Sequence, residues 1–269
     1  MNARMTIALG QLNLVWGDPA ANLAQVRSWT AEAAEQGADL IVFPELWSTG
    51  YDLARAEDHA TAIDAGIFKA TASLARAHGI AILGSCLARL EPGRIANTAV
   101  YVDATGQTRA AYSKTHLFGL MQEDRYLTAG ERLELVDTGW GLFGLAICYD
   151  LRFPELFRSY ALAGACAVVI PAEWPEPRCA HWRTLLQARA IENQMFVIAC
   201  NRAGSDANNR FCGQSCIIDP MGDMLVEADD QPQLLIAELD LSLIAQTRAR
   251  IPVFDDRRPE LYSGSNSGS

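Results

Sequence analysis

Residues 144–155 read GLAICYDLRFPE. Small and apolar side chains run up to Cys148, polar and charged ones follow at once, and Pro154 stands where a helix can begin. This is the pattern of a buried strand that surfaces at a thiol and turns into a helix. Moving outward, the same transition recurs: ADLIVFPE (38–45) stops at Glu45, and CAVVIPAEW (166–174) stops at Glu173 and Trp174. Helical patterns alternate with these strands. One covers 18–37, with Asp18 as N-cap, Pro19 at the first helical position and Gly37 past the end; others cover 64–78, 154–163 and 177–194. Shorter strands are expected at 80–88, 96–103, 108–114, 195–202, 211–219 and 233–239. The main strands are near-continuously apolar, which predicts sheets buried on both faces in an α/β layered fold. Ligands of open α/β sheets gather at the carboxyl ends of strands, so Glu45, Cys148 and Glu173 are expected to line one crevice.

The whole chain narrows the function. Its 269 residues, half of them hydrophobic, can bury one large core, and no repeat or linker divides them. We expect a single domain over 1–262, with SGSNSGS (263–269) as a disordered tail. No run of apolar residues is long enough to cross a membrane, and MNARMTIALGQLN lacks the apolar core of a secretory signal, so a cytoplasmic protein is expected. A net charge of −10 repels nucleic acid and anionic membranes. Seven cysteines, an odd number without a CxxC pair, fit neither a disulfide framework nor a zinc ribbon. Cys212 and Cys216 lack further metal ligands, and no metal or other cofactor is expected.

The chemistry points to acyl transfer. A thiol at the start of a helix meets unpaired backbone N–H groups and a positive dipole, which favour a thiolate and an oxyanion. Such a nucleophile needs a proton acceptor. Only four histidines exist, and His116 in YSKTHLF is the one that suits a Cys–His pair. Glu45, at an apolar strand end, is the better proton carrier. Only Lys69 and Lys114 stand among twenty arginines, so a retained lysine hints at a need for a compact ammonium. Lys114 closes a strand and can sit beside a developing oxyanion.

FPELWSTGYD (43–52), YSKTHLF (112–118) and ICYDLRFPE (147–155) together resemble, in order and spacing, the nitrilase superfamily of carbon–nitrogen hydrolases, over residues 5–240. The resemblance implies a four-layer α–β–β–α sandwich, homodimers paired through the helices beside the nucleophile, and no cofactor. It implies Glu45 as general acid and base, Lys114 as oxyanion stabiliser, Cys148 as nucleophile, and Glu123, in LMQEDRYLTAG, as a second active-site acid. The backbone N–H of Tyr149 would then aim at the reacting oxygen.

CYDLRFPE resembles the amidase branches of that superfamily. N-carbamoyl amino-acid hydrolases are similar there but carry a further arginine where this chain has Leu151. PAEWPEPRCAHWRTLLQARAIENQMFVIACNRAGSD (171–206) and IPVFDDRRPELY (251–262) most resemble the bacterial omega-amidases, which implies a small 2-oxo acid amide as substrate. Tyr51, Tyr149, Glu173 and Trp174 fall beside these segments and are candidates to shape the pocket. Arg152 and Arg178 are candidates to meet a substrate carboxylate. The alternatives are a packing role for Trp174 and a structural pair of Arg152 with Asp150 or Glu155. The rival functions are a broader aliphatic amidase, a carbamoylase, a catalytically silent scaffold of the same fold, and a Cys–His hydrolase.

Overall fold

The computed structural model describes residues 4–262; SGSNSGS, expected as a tail, lies outside them. In chain order the strands are β1 (Arg4–Gln11), β2 (Leu40–Val42), β3 (Ala81–Glu91), β4 (Arg94–Val102), β5 (Thr108–Ser113), β6 (Leu135–Asp137), β7 (Leu142–Leu145), β8 (Ala167–Ala172), β9 (Phe196–Asn201), β10 (Cys216–Ile218), β11 (Met224–Glu227) and β12 (Gln233–Asp240). The helices are α1 (Pro19–Glu35), α2 (Ala56–His59), α3 (Gly66–His78), α4 (Glu123–Tyr126), α5 (Pro154–Leu162), α6 (Cys179–Asn193), α7 (Ser242–Arg250) and α8 (Pro259–Tyr262).

The strands form two six-stranded sheets, ordered β12-β1-β2-β3-β4-β5 and β11-β10-β9-β8-β7-β6. Each sheet is centred on three parallel strands: β1, β2 and β3 in one, β7, β8 and β9 in the other. Antiparallel strands flank both triplets. The carboxyl ends of β2, β7 and β8 carry Glu45, Cys148 and Glu173.

Packing explains the unbroken apolar runs. Met5, Ile7, Leu9, Leu40, Val42 and Leu83 share a core with the second sheet, including Phe143, Val168 and Ile198. The alternate residues Ala8, Ile41, Phe43 and Ile82 pack instead with Val26 of α1 and Phe68 and Leu74 of α3. On the far side, Phe157 and Tyr160 of α5 and Trp182 and Leu186 of α6 cover the second sheet. Both faces of the central strands are therefore occupied, in the layer order α–β–β–α. Each fully buried aliphatic or aromatic side chain contributes about 1.5–3 kcal/mol relative to exposure. The first helix forms as its signals require, with the Asp18 carboxylate accepting from Ala21 N–H at 3.0 Å.

Some elements differ from expectation. The strand expected to reach Cys148 ends at Leu145, because Ile147 N–H turns to the Asp150 carboxylate at 2.9 Å and opens a 3-10 turn over Cys148–Arg152. β6, β11 and α7 lie outside the elements expected from the sequence. β6 and β11 are three and four residues long, and α7 buries only Ile244 and Thr247, too little to imprint a period on the sequence.

Candidate active site

Three backbone distortions build the site. Among the described residues, five non-glycine residues have positive φ, and three of them adjoin the candidate acids or carry the thiol: Leu46 (φ 44°) follows Glu45, Gln122 (φ 61°) precedes Glu123, and Cys148 itself is at φ 45°. Such conformations cost about 1–3 kcal/mol each and persist where surrounding contacts impose them. Leu46 N–H is held by Ser85 Oγ at 2.9 Å. The turn after Cys148 is clamped by Asp150, whose buried carboxylate also accepts from Tyr112 Oη (2.7 Å), Thr115 Oγ1 (3.1 Å) and His116 N–H (3.0 Å). Asp150 thus ties the nucleophile turn to the segment that carries Lys114.

Glu45, Lys114 and Glu123 meet at the seam of the sheets, each fully buried. Lys114 Nζ donates to Glu45 Oε1 and Glu123 Oε1, both at 2.7 Å. Tyr51 Oη lies 2.9 Å from the same two oxygens. Asn97 Nδ2 donates to Glu45 Oε1 at 2.8 Å, Glu173 N–H to Glu45 Oε2 at 2.9 Å, and Phe118 N–H to Glu123 Oε2 at 2.6 Å. Burial works against the Lys114 ammonium, but Glu123 and Glu45 outweigh it and hold it protonated above the usual lysine range. Burial pushes the Glu123 carboxyl up, and Lys114 opposes that. The Tyr51 hydroxyl is pushed up by burial and then by the charges of Glu123 and Glu45.

Cys148 is buried beside this network. Burial first, then the charge of Glu45, pushes its thiol well above the ordinary range, with Lys114 opposing. The expectation of a resting thiolate is therefore corrected: loss of solvation and an adjacent carboxylate outweigh the helix start.

Cys148, Tyr149, Arg152 and Trp174 line one cavity with Phe118, Pro175 and Arg178. Arg152 does not pair with Asp150 or Glu155. Its guanidinium rests on the Trp174 ring, 4.8 Å from the centroid, with Nη2 3.4 Å from His181 Nδ1. Tyr51 and Glu173 stand outside that lining: Tyr51 bridges the two glutamates, and the Glu173 side chain turns to Arg202 at 2.7 Å. His116 is turned from the thiol, with Nδ1 2.7 Å from Asp150 Oδ1 and its ring stacked on Phe153 at 3.6 Å, so it does not form the Cys–His pair weighed above. No group of three or more His, Cys, Asp or Glu among the described residues is arranged to hold a metal.

Asn97, Asp150 and Arg202 were missed. Arg202 follows β9, a further parallel strand end, and the rule that marked Glu45 and Cys148 points to it equally. It is fully buried between Glu173 and Asp206 (2.7 and 3.0 Å). Burial pushes Glu173 up to about 8 against the pull of Arg202. The cysteines also need a correction. Cys179, at the start of α6, and Cys212 form a disulfide with Cα atoms 6.1 Å apart. It is a single clip between a helix start and a loop, 33 residues apart, which spacing alone cannot reveal.

Fold and residues together define a carbon–nitrogen hydrolase: residues 6–249 match that family, and the chain belongs to it. It is 40% identical to a 2-oxoglutaramate amidase of Bacillus subtilis, covering 96% of this chain and all of that one. A 2-oxoglutaramate amidase of Paenarthrobacter nicotinovorans is 39% identical over 84% of this chain and 80% of its own length. Among solved structures, a CN-hydrolase superfamily protein from Xanthomonas campestris with an arsenic adduct in its active site superposes with a TM-score of 0.86. It is 31% identical over 95% of this chain and 97% of that one.

Proposed function

We propose that this enzyme removes the terminal amide of a small 2-oxo acid, 2-oxoglutaramate or 2-oxosuccinamate, releasing ammonia through a Cys148 thioester. The observation that carries the reading is the buried Glu45–Lys114–Glu123 network beside a thiol at the strand ends, in a chain so similar to 2-oxoglutaramate amidases.

Cys148 Sγ attacks the amide carbon while its proton passes to Glu45. The carbonyl electrons move onto oxygen, where Lys114 and the Tyr149 N–H receive the charge; the first N–H groups of a helical turn have no partner within it. Glu45 then donates its proton to the departing nitrogen, ammonia leaves and the thioester remains. Water enters, gives a proton to Glu45 and attacks the thioester. The proton returns to sulfur as the acid departs. Glu123 positions Lys114, and Tyr51 fixes the two carboxylates relative to each other. Tyr149 and Trp174 shape the cavity, Arg152 takes the substrate carboxylate, and Glu173 supports Glu45 through its backbone N–H.

Leu162, Ile191, Ile251 and Tyr262 are large apolar side chains left exposed on or near α5, α6 and the C-terminal segment. They offer apolar contacts that support a homodimer, and we assign the enzyme to the cytoplasm. No described helix is long and apolar enough to cross a membrane.

The test is ammonia release from a panel of 2-oxo acid amides and simple aliphatic amides, with intact mass spectrometry of the acyl adduct. Turnover of aliphatic amides without turnover of any oxo acid amide would overturn the substrate assignment. An adduct on a residue other than Cys148, or activity surviving Cys148→Ala, would overturn the mechanism.

A further inference from the structure

The cavity beside Cys148 is narrow. It has about 10 Å³ open to water, far less than an amide substrate needs. Something in its wall has to move before the reaction begins. The backbone of that wall is pinned on each side. Trp174 Nε1 donates to Arg178 O at 2.8 Å, Glu176 N–H donates to Arg210 O at 2.8 Å, and Cys179 is clipped to Cys212. Opposite, the Phe118 backbone is fixed by its N–H bond to Glu123. Opening therefore falls to side chains.

Two half-buried guanidiniums line the cavity, those of Arg152 and Arg178, and Arg178 is the one on the Phe118 side. It lies over the Phe118 ring with its guanidinium carbon 5.5 Å from the centroid. Among the described residues it has no carboxylate within salt-bridge distance; the neighbouring Glu176 is engaged with Arg210. A partly exposed cation on an aromatic face gains about 0.5–1 kcal/mol. A hydrogen bond between a charged group and its partner gains about 1.5–3 kcal/mol, and a carboxylate can offer Arg two. An anionic substrate therefore outbids the ring for the guanidinium, and a neutral one does not.

We propose that Arg178 is a specificity-determining gate: in the free enzyme it rests on Phe118 and closes the Cys148 cavity, and the carboxylate of the substrate draws it off the ring. The inference rests on the substrate class proposed above and adds a second cation, on a different loop from Arg152, with a task in admission.

The experiment compares kcat and KM for 2-oxoglutaramate with those for 4-oxopentanamide, which replaces the carboxylate by a methyl group and keeps the amide end. In Arg178→Gln, KM for 2-oxoglutaramate is expected to rise at least tenfold with kcat little changed, while kcat/KM for 4-oxopentanamide stays level or rises. Arg178→Lys, which keeps the charge without the planar fork, should restore part of the preference. If both amides lose efficiency by the same factor in the two variants, Arg178 is a structural residue and the gate is refuted; unchanged constants for both amides refute it as well. A wild-type enzyme inactive on 2-oxoglutaramate overturns the proposed function itself, a different outcome from either. Should Arg178→Gln fail to fold, Arg178→Lys decides, since an unaltered preference with the fork removed contradicts the gate.

Discussion

Glu123→Gln tests the charge network at its most specific point. Glu123 Oε1 accepts from Lys114 at 2.7 Å, and Oε2 accepts from Phe118 N–H at 2.6 Å. The amide of glutamine has one accepting oxygen, so one of these two donors must face its NH2 group. The variant therefore loses one charge-assisted bond, worth about 1.5–3 kcal/mol. Lys114 keeps its 2.7 Å contact with Glu45 and its positive charge, so the loss is one of aim. If that aim is what stabilises the oxyanion, kcat falls by about 10- to 150-fold with KM nearly constant. Ammonia release at saturating amide, alongside a thermal melt confirming the fold, measures it. A variant within twofold of wild type would show that Lys114 does not depend on Glu123. A loss beyond about 10,000-fold would mean that Glu123 itself moves a proton, and the division of labour between the two acids would be wrong.

Alkylation of Cys148 by iodoacetamide should keep accelerating above pH 9, because burial and Glu45 hold the thiol protonated; a rate that levels off near pH 7 would contradict this. Asp150→Asn leaves one acceptor oxygen where the carboxylate serves Tyr112, Thr115, His116 and Ile147. It should cost about 1–3 kcal/mol for each donor stranded in the interior, read as a lower unfolding midpoint together with a lower kcat. Glu173 sits at about 8 in the folded protein against 4.5 as its ordinary value, so between those limits the folded state binds the extra proton and stability falls as pH rises. Glu173→Gln should abolish that fall, and equal urea stability profiles of the two proteins from pH 5 to 8.5 would count against it.

What was legible in the sequence is what a strand end exposes. Glu45, Cys148 and Glu173 each break an apolar run, and Asp18, Pro19 and Gly37 mark a helix with local chemistry. The residues that escaped act at a distance. Asn97 lies within β4 next to Thr98, and nothing local says that its amide faces a glutamate 52 positions away. Asp150 stands in the quoted motif, but its role depends on a register that brings Thr115 and His116 to it. Arg202 was open to the strand-end rule and went unused, because its partners Glu173 and Asp206 assemble only when β8 and β9 pair. The Cys179–Cys212 clip belongs to the same group: its halves sit on a helix start and a loop whose approach the fold alone decides.

The resting charge of the site constrains the order of events. Glu45, Glu123 and Lys114 are wholly buried against one another and against Cys148. A preformed thiolate would add a negative charge in a place where solvent cannot answer it. Moving the Cys148 proton to Glu45 as the carbon–sulfur bond forms keeps the total constant and delivers the negative charge to the amide oxygen, within the field of Lys114. A site of this kind has no use for an imidazolium beside the sulfur. The histidines are accordingly spent elsewhere: His59 faces Asp52 at 2.9 Å, His116 faces Asp150 at 2.7 Å, and His181 stands against Arg152. The lysine supplies as a permanent charge what a histidine would supply only after taking the proton, which leaves Glu45 free to carry that proton in both half-reactions.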